Sequence, residues 1–394
     1  MTEKVVVLGA GTGGLVAANL LVSHGYDVTL VEKKDYHLFQ PGMLWIAFQG
    51  HDPSKYMRRV DTLVKPGVNL LKDTVKSIDL NERTVKLESG KTLDYDKLII
   101  ALGVSYDYDS VPGHRQLWET YGDYFSGPEH AQRLWKHVSN LREGKLVLAA
   151  TDPLYKCPPA PHKAAFLSSY TLKKMGRKDK VEVILALPFI HAYPSETMAK
   201  IVEPKLEEAG VTVMTMFTVD SIDVENKKIY SMEGEELEYD VAAVIPINKG
   251  PQIEITPDSV KDEDGFIKVN KYTLEVEGFD DVYAIGDCNN TPTSKTGVTA
   301  HLGAEVVVDR ILGYDAKFTG RTNCPIVANG TATFVISSYE HPVIPVKFSK
   351  FKRMLEDLFI AAYWSSLRDP EKWRPVFKAY FEATDPTKLG ESGW

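Results

Sequence analysis

The chain has 394 residues, enough for two or three domains that each bury a core. Its apolar share of 43% and charged share of 25% are ordinary for a globular protein, which excludes a disordered or fibrous chain. A net charge of −8 with no compact Lys/Arg cluster excludes a general nucleic-acid binder.

Met1-Thr-Glu-Lys runs directly into an apolar strand, so neither a signal nor a transit peptide is expected. Val5–Leu8 is suited to a parallel strand buried on both faces. Gly9-x-Gly11-x-x-Gly14 follows and opens an Ala/Leu-rich helix that Gly25 ends, before a second strand through Val28, Leu30 and Val31. The three glycines serve a tight turn, close approach to a pyrophosphate and close helix–strand packing. Free N–H groups and the positive dipole of the helix N-terminus favour the phosphates. Glu32 stands where a carboxylate accepts from a ribose hydroxyl. Strand, glycines, helix, strand and acid in this order predict dinucleotide binding without naming the dinucleotide.

Lys33 to Gly42 is a polar-to-aromatic loop with a turn at Pro41-Gly42. Val68 to Lys97 alternates apolar and polar residues around turns, which predicts a small β-meander. Tyr95 to Gly103 is a further buried strand ending on glycine, where a backbone could approach a ligand. A second α/β unit begins at Lys145, with a strand over 146–150, a helix over 164–175 and a strand over 181–187. Where its glycine turn belongs, the chain reads Thr151-Asp-Pro-Leu-Tyr-Lys-Cys157-Pro-Pro-Ala-Pro. Prolines and a cysteine cannot form a second pyrophosphate cradle, so this unit is expected to hold no nucleotide and to offer a thiol in its place. A helix over 196–209 follows. Val282–Asp287 is a strand ending in Gly286-Asp287, an acceptor for a sugar or ribityl chain, and Lys295-Thr296-Gly297 leads into a helix through Ile311.

Cys157, Cys288 and Cys324 are too few for a disulfide scaffold, match no zinc spacing and predict no metal. The last 54 residues hold ten aromatics and a charge of +2, against −10 for the rest. Leu355, Leu358, Phe359 and Ala362 are expected on one helical face, and Trp373, Phe377, Tyr380 and Phe381 on another with Arg374 and Lys378 between. Such helices suit either a membrane interface or a hairpin packed on the body or on a second subunit.

Together these residues resemble the two-dinucleotide-binding-domain flavoproteins and, within them, the sulfide:quinone oxidoreductases. The Gly9–Glu32 unit, Leu98-Ile-Ile-Ala-Leu-Gly103, Ala284-Ile-Gly-Asp-Cys288 and Pro292–Gly297 carry the match, the first three belonging to the whole superfamily and implying only FAD. Lys156-Cys157-Pro-Pro-Ala-Pro-His162-Lys163 and Asn323-Cys324-Pro325 resemble that family's two redox cysteines, and Ser349-Lys350 with its aromatic helices its membrane-facing tail. The resemblance implies an α/β fold with two Rossmann-like dinucleotide-binding domains and a C-terminal aromatic-rich helical membrane-association region. The implied division is 1–110 and 280–320 for FAD, 111–279 for the second unit and 321–394 for the quinone- and membrane-facing region.

The implied FAD set is Gly9, Gly11, Thr12, Gly13, Gly14, Glu32, Lys33, Gln40, Pro41, Val75, Ala101, Gly103, Gly286, Asp287, Lys295, Thr296, Gly297 and Lys350. Because no cysteine precedes Cys157, non-covalent FAD and a two-thiol mechanism are expected, and Cys288 receives no redox role. Hydrosulfide then attacks a Cys157–Cys324 disulfide or polysulfide, leaving a persulfide and a thiolate, the thiolate expected on Cys324. His162 and His191 are candidate proton carriers, and Phe334, Tyr339 and Phe351 candidate walls of the quinone slot. The expected setting is a peripheral protein on the cytoplasmic face of the cell membrane, passing electrons to a membrane quinone, with a homo-oligomer possible. A single-subunit NADH:quinone oxidoreductase, a sulfide dehydrogenase serving a cytochrome, and a non-catalytic FAD-bearing sensor or scaffold are the rival readings.

Overall fold

The computed structural model describes residues 3–341, 343, 344 and 346–383, so Trp394 of the aromatic tail lies outside the described residues. The opening apolar run forms β1 (Lys4–Leu8), buried at four of its five positions. After the glycine turn comes α1 (Thr12–Ser23), then β2 (Asp27–Glu32) parallel to β1 with Val31 beside Leu8. β3 (Asn69–Lys72) extends the sheet beyond β2, and β4 (Lys97–Ile100) joins it on the far side of β1. Valine, isoleucine and leucine dominate these strands because helices and loops cover both faces of the sheet.

The second unit starts with β5 (Gly144–Ala150). α2 (Ala160–Lys174) begins four residues earlier than its apolar pattern indicates, with Pro159 capping it and Pro161 in its first turn. Proline fits there because the first-turn N–H groups have no helical partner to lose. β6 (Val181–Ala186), α3 (Glu196–Ala209), β7 (Val211–Met214) and β8 (Val241–Ile245) complete a parallel sheet in the order β7-β6-β5-β8. The chain then returns to the first sheet through β9 (Val282–Ala284), giving β9-β4-β1-β2-β3.

The expected meander forms as antiparallel strands over Val75–Asp79, Thr84–Leu87 and Thr92–Asp94, but the opening part of that stretch, Asn69–Lys72, pairs with β2 in the parallel sheet instead. Glu254–Thr256, grouped by sequence with the second unit, pairs instead with Val75–Asp79 of the meander. A three-residue strand has no periodicity of its own, and only its distant partner defines it.

α4 (Gly297–Ile311) packs on α1, and the hairpin of β10 (Thr322–Ala328) and β11 (Thr331–Ser337) follows. The last described elements are α5 (Lys350–Arg368) and α6 (Pro370–Ala383). α5 buries Lys352, Glu356, Tyr363, Ser366 and Leu367, and exposes Phe351, Met354 and Leu358 to between 49% and 59%. The buried stripe is therefore rotated from the Leu355/Leu358/Phe359/Ala362 face expected from apolar spacing. Lysine, glutamate, tyrosine and serine on the packed face break the periodicity that a sequence reading depends on. α6 is tied to α4 by Arg374, which pairs with Asp309 and lies 3.8 Å from Glu305. Among the described residues no helix is long and apolar enough to cross a membrane.

Candidate active site

The turn between β1 and α1 is shaped by its glycines. Gly9 has φ +95°, and a Cβ there would stand 2.5 Å from the Ala101 carbonyl oxygen. On Gly14 it would stand 1.9 Å from the Gly9 oxygen, so both positions admit only hydrogen. Beside Gly11 the nearest such atom is 4.0 Å away, and α1 has no side-chain cap, so its first-turn donors are left for an outside acceptor. Glu32 accepts from the Ala10 N–H at 2.6 Å and the Lys34 N–H at 2.8 Å, which fixes its carboxylate at the rim of the turn. Gly103 (φ +71°) and Gly297 have open space where a Cβ would project. The cradle, the rim carboxylate and this open space fit the diphosphate and ribose of a dinucleotide such as FAD.

The remaining predicted cofactor residues divide. Thr296 caps α4 reciprocally with Thr299, and Lys295 is drawn inward, donating to the Asn289 carbonyl oxygen with its ammonium 4.2 Å from the Phe266 ring centroid. Burial lowers the Lys295 pKa. Gly286 (φ +72°) and Asp287 form a short turn after β9. Pro41 caps the helix Gly42–Gln49, Val75 opens the meander, and Gly13 lies against Ala300 and Ile285. Lys33, Gln40 and Lys350 are exposed.

The β5–α2 loop and the β10–β11 hairpin bring the two distant cysteines together, with Cys157 Sγ 3.9 Å from Cys324 Sγ. Both are free thiols, Cys157 partly exposed and Cys324 buried. Two S–S bonds of about 2.05 Å meeting near the tetrahedral angle span about 3.3 Å, so the gap suits a bridging sulfur better than a direct bond. Cys157 adopts φ +55°, a left-handed backbone that costs a non-glycine residue about 1–2 kcal/mol. It is held there by its N–H donating to the Lys295 carbonyl at 3.0 Å and its carbonyl accepting from Ala160 N–H at 2.8 Å.

Charge around the pair is uneven. A hydrogen bond from the Cys324 thiol, aided by the buried ammonium groups of Lys163 and Lys156, lowers Cys157 to about 7 despite burial. Donating that bond, burial and the neighbouring Cys157 charge push Cys324 well above the thiol range, and Glu356 adds to this. The negative charge of the reduced pair therefore belongs on Cys157, the reverse of the expectation that placed it on Cys324. Lys156 sits 5.0 Å from the Tyr106 ring centroid and 5.8 Å from that of Phe125. Burial opposes its charge, but Tyr106 and Asp287 raise its pKa overall. Glu356 is 3% exposed, and burial raises its carboxyl against the pull of Lys163 and Arg353. Lys163 lies inside the motif that marked Cys157, whereas Glu356 carried no sequence signal because an acid on a packed helical face follows no motif.

The other predicted residues have separate settings. His162 is fully buried, its Nε2 meets the Ala192 carbonyl at 2.5 Å, and burial lowers it to about 4, leaving a neutral, fixed ring. His191 lies partly exposed after β6. Phe334 packs with Ile336 and Val346, Tyr339 with Tyr272 and Phe318, and Phe351 lies exposed on α5, so the three form no common wall. Cys288 donates to the Ile100 and Ile285 carbonyls and is pushed by burial to about 11, an inert thiol.

His37 and His114, like His162, are buried and lowered to about 4 by burial. Unfolded, each ring takes a proton near its ordinary 6.5, and folded only near 4. Their contribution to stability is thus complete above pH 6.5 and declines as pH falls from 6.5 towards 4. Melting temperature followed by circular dichroism is expected to drop across that window. A flat profile from 6.5 to 4 would contradict the buried neutral state of these rings.

A family model described as pyridine nucleotide-disulphide oxidoreductase matches residues 3–147 and 165–304, passing over the Cys157 loop and stopping before Cys324. The mitochondrial sulfide:quinone oxidoreductase of Mus musculus is 24% identical over 397 residues, covering 96% of this chain and 87% of that protein. The structure of the sulfide:quinone oxidoreductase of Aquifex aeolicus superposes with a TM-score of 0.82 at 21% identity, covering 93% of this chain and 92% of that one. NDH2 of Plasmodium falciparum, solved with NADH, superposes with a TM-score of 0.70 at 14% identity, covering 95% and 99%. The glycine cradle, the paired parallel sheets and the extent of the family match together establish that this chain belongs to the pyridine nucleotide-disulphide oxidoreductases.

Proposed function

We propose that this chain is a sulfide:quinone oxidoreductase. The observation that carries the reading is a thiol pair 3.9 Å apart, with Cys157 in the loop where a second nucleotide cradle would otherwise lie and Cys324 brought to it by the β10–β11 hairpin. In this reading residues 1–110 and 280–320 hold FAD, 111–279 present Cys157, and 321–394 supply Cys324 and the quinone- and membrane-facing surface. FAD, when bound, accepts two electrons from the thiol side and delivers them to quinone.

The charges around the pair direct the first step. In the directly bonded form of the oxidised pair, hydrosulfide attacks Sγ of Cys324, the Cys157–Cys324 bond breaks, and Cys157 leaves as a thiolate while Cys324 carries the persulfide; where one sulfur bridges the pair, the same attack releases Cys157 as a persulfide. The thiol with the lower pKa is the better leaving group; Lys163 favours the charge on both sulfurs, and Lys156 beside Cys157 with Glu356 beside Cys324 makes that thiol Cys157. The left-handed backbone at Cys157 and its tether to Lys295 hold the leaving sulfur beside the loop that begins α4.

The deciding experiment mixes the purified yellow protein, without oxygen, with sulfide and separately with NADH while flavin absorbance is recorded. Bleaching by sulfide is expected. Bleaching by NADH alone would mean that the second sheet binds a nucleotide without its glycines and would overturn the proposal in favour of NADH:quinone chemistry.

The exposed face of α5, Phe351, Met354 and Leu358, is the proposed contact with the membrane surface. Deleting the helix is a poor test because its other face buries Tyr363 and Leu367 in the body. Substituting all three exposed residues by serine keeps that packing and is expected to cut co-sedimentation with quinone-bearing vesicles by about tenfold or more. Undiminished sedimentation would place the lipid contact elsewhere.

A further inference from the structure

A continuous row of hydrogen bonds joins α5 to the dinucleotide turn. His37 Nδ1 lies 2.8 Å from the Ala10 carbonyl oxygen, His37 Nε2 lies 2.7 Å from the Tyr363 hydroxyl, and that hydroxyl lies 2.8 Å from Thr12 Oγ1. A carbonyl only accepts, so Nδ1 carries the imidazole proton. Burial lowers the ring to about 4, so at neutral pH Nε2 has no proton and accepts from the Tyr363 O–H. The Tyr363 oxygen then accepts from Thr12. The row has one direction, and both of its interior members, His37 and Tyr363, are buried.

Ala10 and Thr12 flank Gly11, so Tyr363 engages both sides of the turn that approaches the cofactor diphosphate. The same helix is anchored one turn later. The Asn19 amide, fully buried in α1, donates to the Leu63 and Leu367 carbonyls at 2.8 Å and accepts from the Lys65 N–H at 2.8 Å. The Phe39 ring meets Tyr363 at 4.6 Å, and the Arg58 guanidinium lies 4.9 Å from the Trp364 ring centroid. The residues that follow the rim carboxylate are thereby clasped to the same helix.

We propose that Tyr363 is a positioning residue for FAD, and that α5 is a strap that holds the Gly9–Gly14 turn in its cofactor-receiving shape and must lift before the flavin leaves. The proposal rests on the reading of the chain as an FAD protein, and not on sulfide or quinone as its substrates. Because the coupling is an equilibrium one, it acts both ways: a seated α5 slows flavin release, and bound FAD protects α5.

The test uses full-length protein loaded with FAD. Flavin release after dilution is followed by the rise in free-flavin fluorescence for the wild type and for Tyr363→Phe, which keeps the ring and removes the row's central hydroxyl. Release at least fivefold faster in the variant is expected, equivalent to about 1 kcal/mol. In parallel, hydrogen exchange over residues 350–368 is compared with and without FAD in the wild type, where slower exchange in the loaded protein is expected. A release rate within twofold of wild type overturns the strap, as does exchange that ignores FAD. If Tyr363→Phe fails to fold, the wild-type exchange comparison alone decides. Failure of the wild type to bind FAD at all would instead overturn the reading of the chain as a flavoprotein.

Discussion

Sulfide no longer bleaches the flavin when either Cys157 or Cys324 is replaced by serine, and the visible spectrum of bound FAD is retained: this is the largest expected effect. Serine keeps the shape of each side chain but cannot form the S–S bond that hydrosulfide must break, so no persulfide and no leaving thiolate arise. A fall of about a thousandfold or more in the bleaching rate is expected of each variant, and no further fall of the double variant, since the two sulfurs act as one unit. FAD stays bound because neither thiol belongs to the glycine turn or to the Glu32 rim. Stopped-flow absorbance at the flavin band decides the matter, and a near-normal bleaching rate in either variant would rule out the two-thiol route.

The second large effect is electrostatic. Lys163 is 2% exposed and is, after the Cys324 thiol, the strongest influence holding Cys157 down near 7. Lys163→Met removes that cation while keeping most of the volume. The Cys157 pKa is expected to rise by about one unit or more, and sulfide-driven bleaching at pH 7 to slow about tenfold, in line with about 1.4 kcal/mol per unit. Iodoacetamide alkylation of the reduced protein against pH reads the shift directly, its midpoint moving upward from about 7 in the wild type. The same substitution takes the larger of its two cationic neighbours from the buried Glu356 carboxyl and leaves only Arg353, which further favours its protonated form and costs some stability. Lys163→Arg restores the charge and is expected to restore the midpoint. An alkylation midpoint that does not move in Lys163→Met would show that the neighbouring thiol alone sets the Cys157 pKa.

What was legible in the sequence follows the range over which its signals act. The glycine turn, Glu32 and the buried strands of both sheets are local patterns, and each forms within a few residues of its expected place. The cysteines stand 167 residues apart, and nothing in their spacing reveals that they meet; family resemblance alone joined them. The packed face of α5 was misread because its inward residues include Lys352, Glu356 and Ser366, polar groups that interrupt the apolar spacing. His162 was raised as a proton carrier by residue type, but its surroundings leave it neutral and locked to a carbonyl. Tyr363 sits among other aromatics of the tail, and only the fold distinguishes the one whose hydroxyl reaches Thr12.

The bond from the Cys157 N–H to the Lys295 carbonyl bears on how freely this chain can change in length. Cys157 precedes the whole of α2, β6, α3, β7 and β8, while Lys295 follows them, so that long excursion begins and ends at one fastened point. Residues can be gained or lost in the loops of the excursion without moving the thiol, provided the Lys156–Cys157 and Lys295–Thr296 steps keep their backbone shape. Within those steps a single inserted residue would displace the reactive sulfur. The drift in length that the outer loops permit is thus closed off at two short stretches, and their spacing in space, rather than along the chain, is what selection would have to preserve.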